Sequence, residues 1–337
     1  MPRILVIRFS SIGDIVLTTP VFRCIKKQVP GAEVHFLTKK SFGDVLANNP
    51  YIDNTLYYEN NLQTVLHQLK NFKYDYIVDL HNNLRSWRVK RSLHVRSFSF
   101  HKLNFEKWLL VNLKINRLPH KHIVDRYFDA ISPLGVFNDG EGLDYFINPL
   151  DEINIQSFLP DNFHQGFVSM VIGAKHATKC LPLEQLKEVC KNLLHPVVLL
   201  GGQEDKAKGA KLMQLFPDKV FNACGKTNLG QSASLIKQSR VVITHDTGLM
   251  HIAAALRKKI ISVWGNTIPE FGMYPYLPAN STPFSLVEVK NLNCRPCSKI
   301  GYDHCPKKHF RCMNDINPAD ISILAEKHMH DSLNGFS

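Results

Sequence analysis

Residues 3–9 read RILVIRF, residues 10–14 read SSIGD, and the chain runs on through Leu17, Val21 and Ile25 to EVHFL at 33–37. The first run is apolar and rich in β-branched side chains, as a buried strand requires. Leu17, Val21 and Ile25 recur at i, i+4, the stripe of an amphipathic helix. Pro20 leaves two starts open. Either Thr19 caps a helix whose first residue is Pro20, or the helix begins near Asp14 and kinks. Residues 33–37 form a second strand. Strand, tight turn, helix and strand in succession make a βαβ unit with two parallel strands.

The pattern extends outward. YDYIVDL at 74–80 is a strand ending in His81-Asn82-Asn83, and 95–100 is a short one. Helical periods cover 104–115 and 121–132. Residues 138–164 lose periodicity and gather Asn, Asp, Gly and Pro, so the linker belongs there. A second series then starts. Strands fall at 166–172 (GFVSMVI), 196–200, 241–244 and 260–264, and helices at 182–194, 204–216, 228–238 and 247–256. A terminal helix covers 318–332. Two successive βα series imply an α/β protein of two doubly wound Rossmann-like domains facing a cleft, at 1–150 and 165–317.

Composition agrees with that plan. At roughly 100–200 residues per domain, two domains suit 337 residues. Hydrophobic residues at 44% and charged residues at 21% are ordinary for globular cores. No stretch reaches the ~18 apolar residues of a membrane span. The first apolar run, 4–7, stops at Arg8 without the features of a signal peptide, so a cytoplasmic location is expected. Lys and Arg number 41 against 29 Asp and Glu, a net charge of +12. That excess suits an anionic partner, whether nucleic acid, membrane surface or phosphorylated substrate, or else is a solvated basic surface. No nucleic-acid reading module is present, and no element interleaves aromatic with basic residues, which argues against nucleic acid.

Four strand-end loops carry the candidate chemistry, since ligands of open α/β sheets bind outside the carboxyl ends of the strands. Asp14, in the SSIGD turn, could take a proton from an attacking hydroxyl or cap the next helix. In THDTGLMH (244–251) the N–H groups of Thr247, Gly248 and Leu249 stand free at a helix start and suit a pyrophosphate, with His251 one turn in. Asp246 would repel phosphate and suits a sugar hydroxyl or a cap. In GAKHATK (173–179) Lys175 and Lys179 offer point charges to phosphate oxygens, or form a basic surface loop. LGGQED (200–205) lets backbone approach closely and places an acidic group for ribose hydroxyls. Together these outline a nucleotide-diphosphate site opposite a domain holding one base, the arrangement of an inverting sugar transfer. Finally, Cys294-x2-Cys297-x7-Cys305-x6-Cys312 suggests a structural zinc site. Disulfides and free thiols remain open, and His304 and His309 are alternative ligands.

ILVIRFSSIGDIVLTTPVFRCIKKQVPGAEV (4–34) and VVITHDTGLMHIAAALRKKIISVWGNTIPEFG (241–272) resemble glycosyltransferase family 9, the ADP-heptose:lipopolysaccharide heptosyltransferases. YDYIVDLHNNLRS (74–86) and HIVDRYFDAISPLG (122–135) resemble family segments too. The resemblance implies a GT-B architecture whose terminal helix, 318–337, packs back toward the first domain. It implies an inverting transfer of heptose from ADP-heptose to a lipopolysaccharide inner-core acceptor, without a catalytic cofactor. The enzyme would sit peripherally on the inner face of the cytoplasmic membrane. Asp14 falls on the general base, Lys179 on a lysine near the donor phosphates and Glu204 on the acid near the ribose. Asp246, Thr247, Gly248 and His251 fall on the donor-binding motif, and Arg85 and Arg126 on acceptor-binding positions. Ala174 and Lys175 stand where hydroxyl residues are common in the family. Another nucleotide-sugar on the same fold is the alternative reading.

Overall fold

The structure, a computed structural model, describes residues 1–281 and 284–333. It divides into two compact units, 1–103 with 120–146, and 104–119 with 147–337.

The first unit holds five parallel strands: β1 (Arg3–Ile7), β2 (Glu33–Lys39), β3 (Asn54–Tyr58), β4 (Tyr76–Asp79) and β5 (Arg96–Ser99), in the order β3-β2-β1-β4-β5. Helices α1 (Ile12–Val16) and α2 (Thr19–Gln28) join β1 to β2, α3 (Leu62–Lys70) joins β3 to β4, and α4 (Leu84–Leu93) joins β4 to β5. Pro20 is accommodated by a break: α1 ends before Thr18, and α2 starts with Thr18 as its N-cap residue. In the first turn Pro20 removes only an N–H that has no helical partner anyway. β1 is buried because sheet neighbours and helices cover both faces; Ile4, Leu5, Val6 and Ile7 have no exposure. The sheet order reverses between β1 and β4, so the crevice at their carboxyl ends is the place for a ligand.

Helix α5 (Asn104–Leu113) groups with the second unit although α6 (Ile123–Ile131) returns to the first. After the single turn α7 (Ile155–Phe158), a second parallel sheet runs through β6 (Val168–Val171), β7 (Val197–Leu200), β8 (Val220–Asn222), β9 (Val241–His245), β10 (Lys259–Trp264) and β11 (Ser285–Glu288), ordered β11-β10-β9-β6-β7-β8. Its helices are α8 (Leu183–Asn192), α9 (Lys206–Leu215), α10 (Leu229–Gln238) and α11 (Gly248–Ala255). Here the order reverses between β6 and β9. The chain closes with α12 (Arg311–Asn314) and α13 (Pro318–Leu333). Helix α13 packs on α8, β9, β10 and β11 within the second unit. Ile321, Ala325 and Met329, at i, i+4, i+8, form the buried stripe that joins this core. Among the described residues no helix is long and apolar enough to cross a membrane.

Candidate active site

The first unit gathers its chemistry at the β1/β4 crevice. Asp14 lies in the first turn of α1. Its Oδ2 accepts from the Ser11 N–H at 3.2 Å and the Ser11 hydroxyl at 2.7 Å, so one oxygen folds back to the start of the helix. The other, Oδ1, pairs with the Arg8 guanidinium at 2.6 Å. Arg8 also donates to the carbonyls of Ser10 and Leu80 and to the Tyr127 hydroxyl, which fixes it at the strand ends. Burial opposes the Arg8 charge, yet Asp14, with Tyr127 and Asp79, raises its pKa on balance. The Asp14 side chain remains 21% exposed.

Three groups that the sequence reading did not single out, His81, Asp79 and Tyr127, join the expected Arg126 and Arg85 here. His81 follows β4, and burial first, then Arg8 and Lys102, hold its pKa down to about 4. Asp79 accepts from the N–H groups of His81 and Asn82 and pairs with Lys90 at 3.0 Å, which shapes the turn into α4. Burial raises the Tyr127 phenol to about 12. Arg126 lies next to it on α6, 6% exposed, its pKa lowered by burial. Arg85, in the first turn of α4, lies exposed over the Tyr58 ring, 5.3 Å from its centroid. Arg8 carried one signal in the sequence: a charge closing an otherwise apolar strand.

The second unit places two of the expected loops together at the β6/β9 crevice. Lys179 ends the turn after β6, and its ammonium lies 2.5 Å from Asp246 Oδ2, with side chains 15% and 12% exposed. Thr267 donates to the same oxygen at 3.0 Å. Thr247 is the N-cap of α11, its hydroxyl accepting from the Met250 N–H at 3.4 Å. The ammonium is therefore fixed at the start of α11, where free N–H groups and the helix dipole already favour an anion. Gly248 opens that helix, and His251 is buried one turn in. Glu204 lies exposed on the loop after β7. Its neighbour Asp205 is buried and accepts from the Gly202 N–H. A Cβ at Gly173 would collide with the Asp205 carboxylate, so that glycine lets the loops after β6 and β7 pack together. His245 accepts from the Leu181 N–H at 3.0 Å and is held neutral by burial, its pKa down to about 3.

The zinc expectation finds no support. Among the described residues no group of three His, Cys, Asp or Glu side chains could hold a metal. Cys294, Cys297, Cys305 and Cys312 are all free thiols. Cys312 is buried with Met313 and Ile316 in the core, while Cys294 leans toward His309, 3.8 Å away. The segment braces the crevice instead. Tyr302 exchanges hydrogen bonds with Thr178, beside Lys179, at 2.8–3.1 Å. Arg295 donates to the carbonyls of Gly265 and Thr267, and its pair with Glu288 at 2.6 Å holds it there.

Comparisons with known proteins agree with this geometry. The family model described as Glycosyltransferase family 9 (heptosyltransferase) matches residues 63–302. Lipooligosaccharide heptosyltransferase 2 of Haemophilus influenzae is 23% identical, the match covering 89% of this chain and 93% of the relative. The solved structure of Escherichia coli ADP-heptose lps heptosyltransferase II superposes with a TM-score of 0.74 at 19% identity, over 98% of this chain and 99% of the other. A glycosyl transferase family 9 structure from Veillonella parvula gives 0.78 at 21% identity, covering 98% of each chain.

Proposed function

This chain belongs to glycosyltransferase family 9, and from that membership we propose that it transfers heptose from ADP-heptose to the inner core of a lipopolysaccharide. The observation that carries the reading is the Lys179–Asp246 pair at the start of α11. It sets a positive charge, free N–H groups and a carboxylate around one point, as a diphosphate bearing a polyhydroxylated sugar would require. Lys179 and the helix start take the phosphates, Asp246 and His251 the sugar side, and Glu204 the ribose. Asp14 removes the proton as an acceptor hydroxyl attacks the anomeric carbon. The sugar–phosphate bond breaks, configuration inverts, and ADP leaves with its new charge stabilised by Lys179 and the α11 N-terminus. No step calls for a catalytic metal. Arg85 and Arg126 meet acceptor phosphates or carboxylates. The acceptor's lipid places the enzyme peripherally on the inner face of the cytoplasmic membrane, and the net charge of +12 suits that surface.

A panel of nucleotide-sugars with delipidated core acceptors, scored by nucleoside diphosphate release, tests this. ADP-heptose should be consumed in preference to every other donor. Preference for a different nucleotide-sugar would replace the proposed donor.

A further inference from the structure

Helix α4 reads LRSWRVKRSL and contains no carboxylate. Ser86 and Val89 turn inward, while Leu84, Trp87, Arg88 and Arg91 are exposed, Leu84 by 65% and Trp87 by 47%. These four positions follow the i, i+3, i+4, i+7 spacing that puts them on one face. The Arg91 guanidinium lies 5.3 Å from the Trp87 ring centroid, so aromatic and charge form a single patch. Beside it runs a shallow groove of about 450 Å³ between α3 and α4, lined by Leu62, Leu66, Arg88, Arg91 and His94 among others, with no carboxylate in its wall. Lys90 is committed to Asp79. Arg88 and Arg91 have no ion-pair partner among the described residues.

We propose that this face of α4 and the adjoining groove dock on an anionic phospholipid bilayer. An uncompensated basic helix with an exposed tryptophan and leucine has the composition of an interfacial helix. Trp87 and Leu84 enter the headgroup boundary. Arg88 and Arg91 take lipid phosphates, and the apolar floor from Leu62 and Leu66 accepts the glycerol backbone. Arg85 begins the same helix, so docking here brings an acceptor-binding position to the surface that carries a lipid-linked acceptor. The proposal rests on the reading of such an acceptor and names the surface that reaches it.

The test uses the full chain and its Arg88→Gln/Arg91→Gln and Trp87→Ser variants. Sedimentation is measured with phosphatidylcholine vesicles, alone and doped with phosphatidylglycerol, while transfer is measured separately on a water-soluble deacylated acceptor. Each arginine near an anionic surface is worth about fivefold, so the double variant should bind doped vesicles about 30-fold more weakly. Trp87→Ser should weaken binding on top of that. Both variants should keep wild-type transfer to the soluble acceptor, which separates this surface from the sugar-transfer reading and shows that the fold is intact. Wild-type vesicle binding by the double variant would overturn the proposal, as would equal binding of the wild type to undoped vesicles. Tighter binding to a short DNA duplex than to doped vesicles, lost in the same variant, would reassign the patch to polyanions and overturn it too.

Discussion

Lys179→Ala should weaken ADP binding by more than one lost contact, because it also strips Asp246 of its partner. The charge-assisted bond to a donor phosphate is worth about 1.5–3 kcal/mol. Asp246, 12% exposed, would keep only the Thr267 hydroxyl at 3.0 Å and stand as a bare carboxylate beside the diphosphate. Two unit charges about 6 Å apart at an effective dielectric of about 20 repel by about 2.8 kcal/mol, which partial exposure and salt reduce to about 1–2. Together the losses come to about 2.5–5 kcal/mol, or between roughly 10² and 10⁴ in affinity. Lys179→Ala/Asp246→Asn removes the repulsion with the attraction and should recover about 5- to 30-fold of that loss. Isothermal titration with ADP and with adenosine reads both effects. Adenosine binding, which uses neither charge, should hold. A double variant no tighter than Lys179→Ala, or a parallel loss of adenosine, would refute the assignment of this pair to the phosphates.

Arg8→Gln should cost the first unit about 3 kcal/mol, since it breaks a buried pair whose carboxylate retains the Ser11 bonds. Scanning calorimetry should show melting lowered by roughly 10 °C with turnover reduced and ADP affinity kept; an unchanged melting temperature would count against it. His81 at about 4 and His245 at about 3 are both neutral in the fold, while an unfolded chain protonates near pH ~6.5. Their stability is complete above that pH and drains as pH falls toward those values, by up to about 1.4 kcal/mol per pH unit for each imidazole. Urea midpoints should therefore drop between neutral and mildly acidic pH, and a flat profile would contradict the neutral assignment. Transfer should survive EDTA, because Lys179 and the start of α11 supply the positive charge a metal would bring; loss of transfer restored by Mg²⁺, with the fold intact, would contradict this.

The central strands were legible because burial on both faces writes itself as apolar runs, as in RILVIRF and GFVSMVI. The peripheral strands were not. β3 is mostly half-exposed, β8 spans three residues, and β11 mixes a buried Val287 with exposed or half-buried neighbours, so none produces such a run. Helix α4 hid behind its own charges, having only Ser86 and Val89 fully inward. The loops of the site could be located, since the strand ends define them, but partners within them could not. Lys179 and Asp246 are 67 residues apart, and the parallel register of β6 and β9 alone brings them together. Asp14 as cap or base looked like a choice; the structure gives one oxygen to Ser11 and the other to Arg8. The cysteine spacing resembles a ligand set, but spacing could not show that Cys312 is buried in the core or that Arg295 and Tyr302 of the same segment serve as struts.

The central claim is that Asp14 drives heptose transfer from ADP-heptose, and product formation by the wild type and Asp14→Asn tests it most directly. Each protein is incubated with ADP-heptose and a soluble inner-core acceptor lacking the terminal heptose, and heptosylated product is followed by mass spectrometry alongside ADP-heptose affinity. The wild type should add one heptose, and Asp14→Asn should bind the donor equally well yet turn over about 10²–10⁴-fold more slowly. Near-normal product formation by Asp14→Asn, or no heptosylated product from a wild type that binds ADP-heptose, would contradict the account.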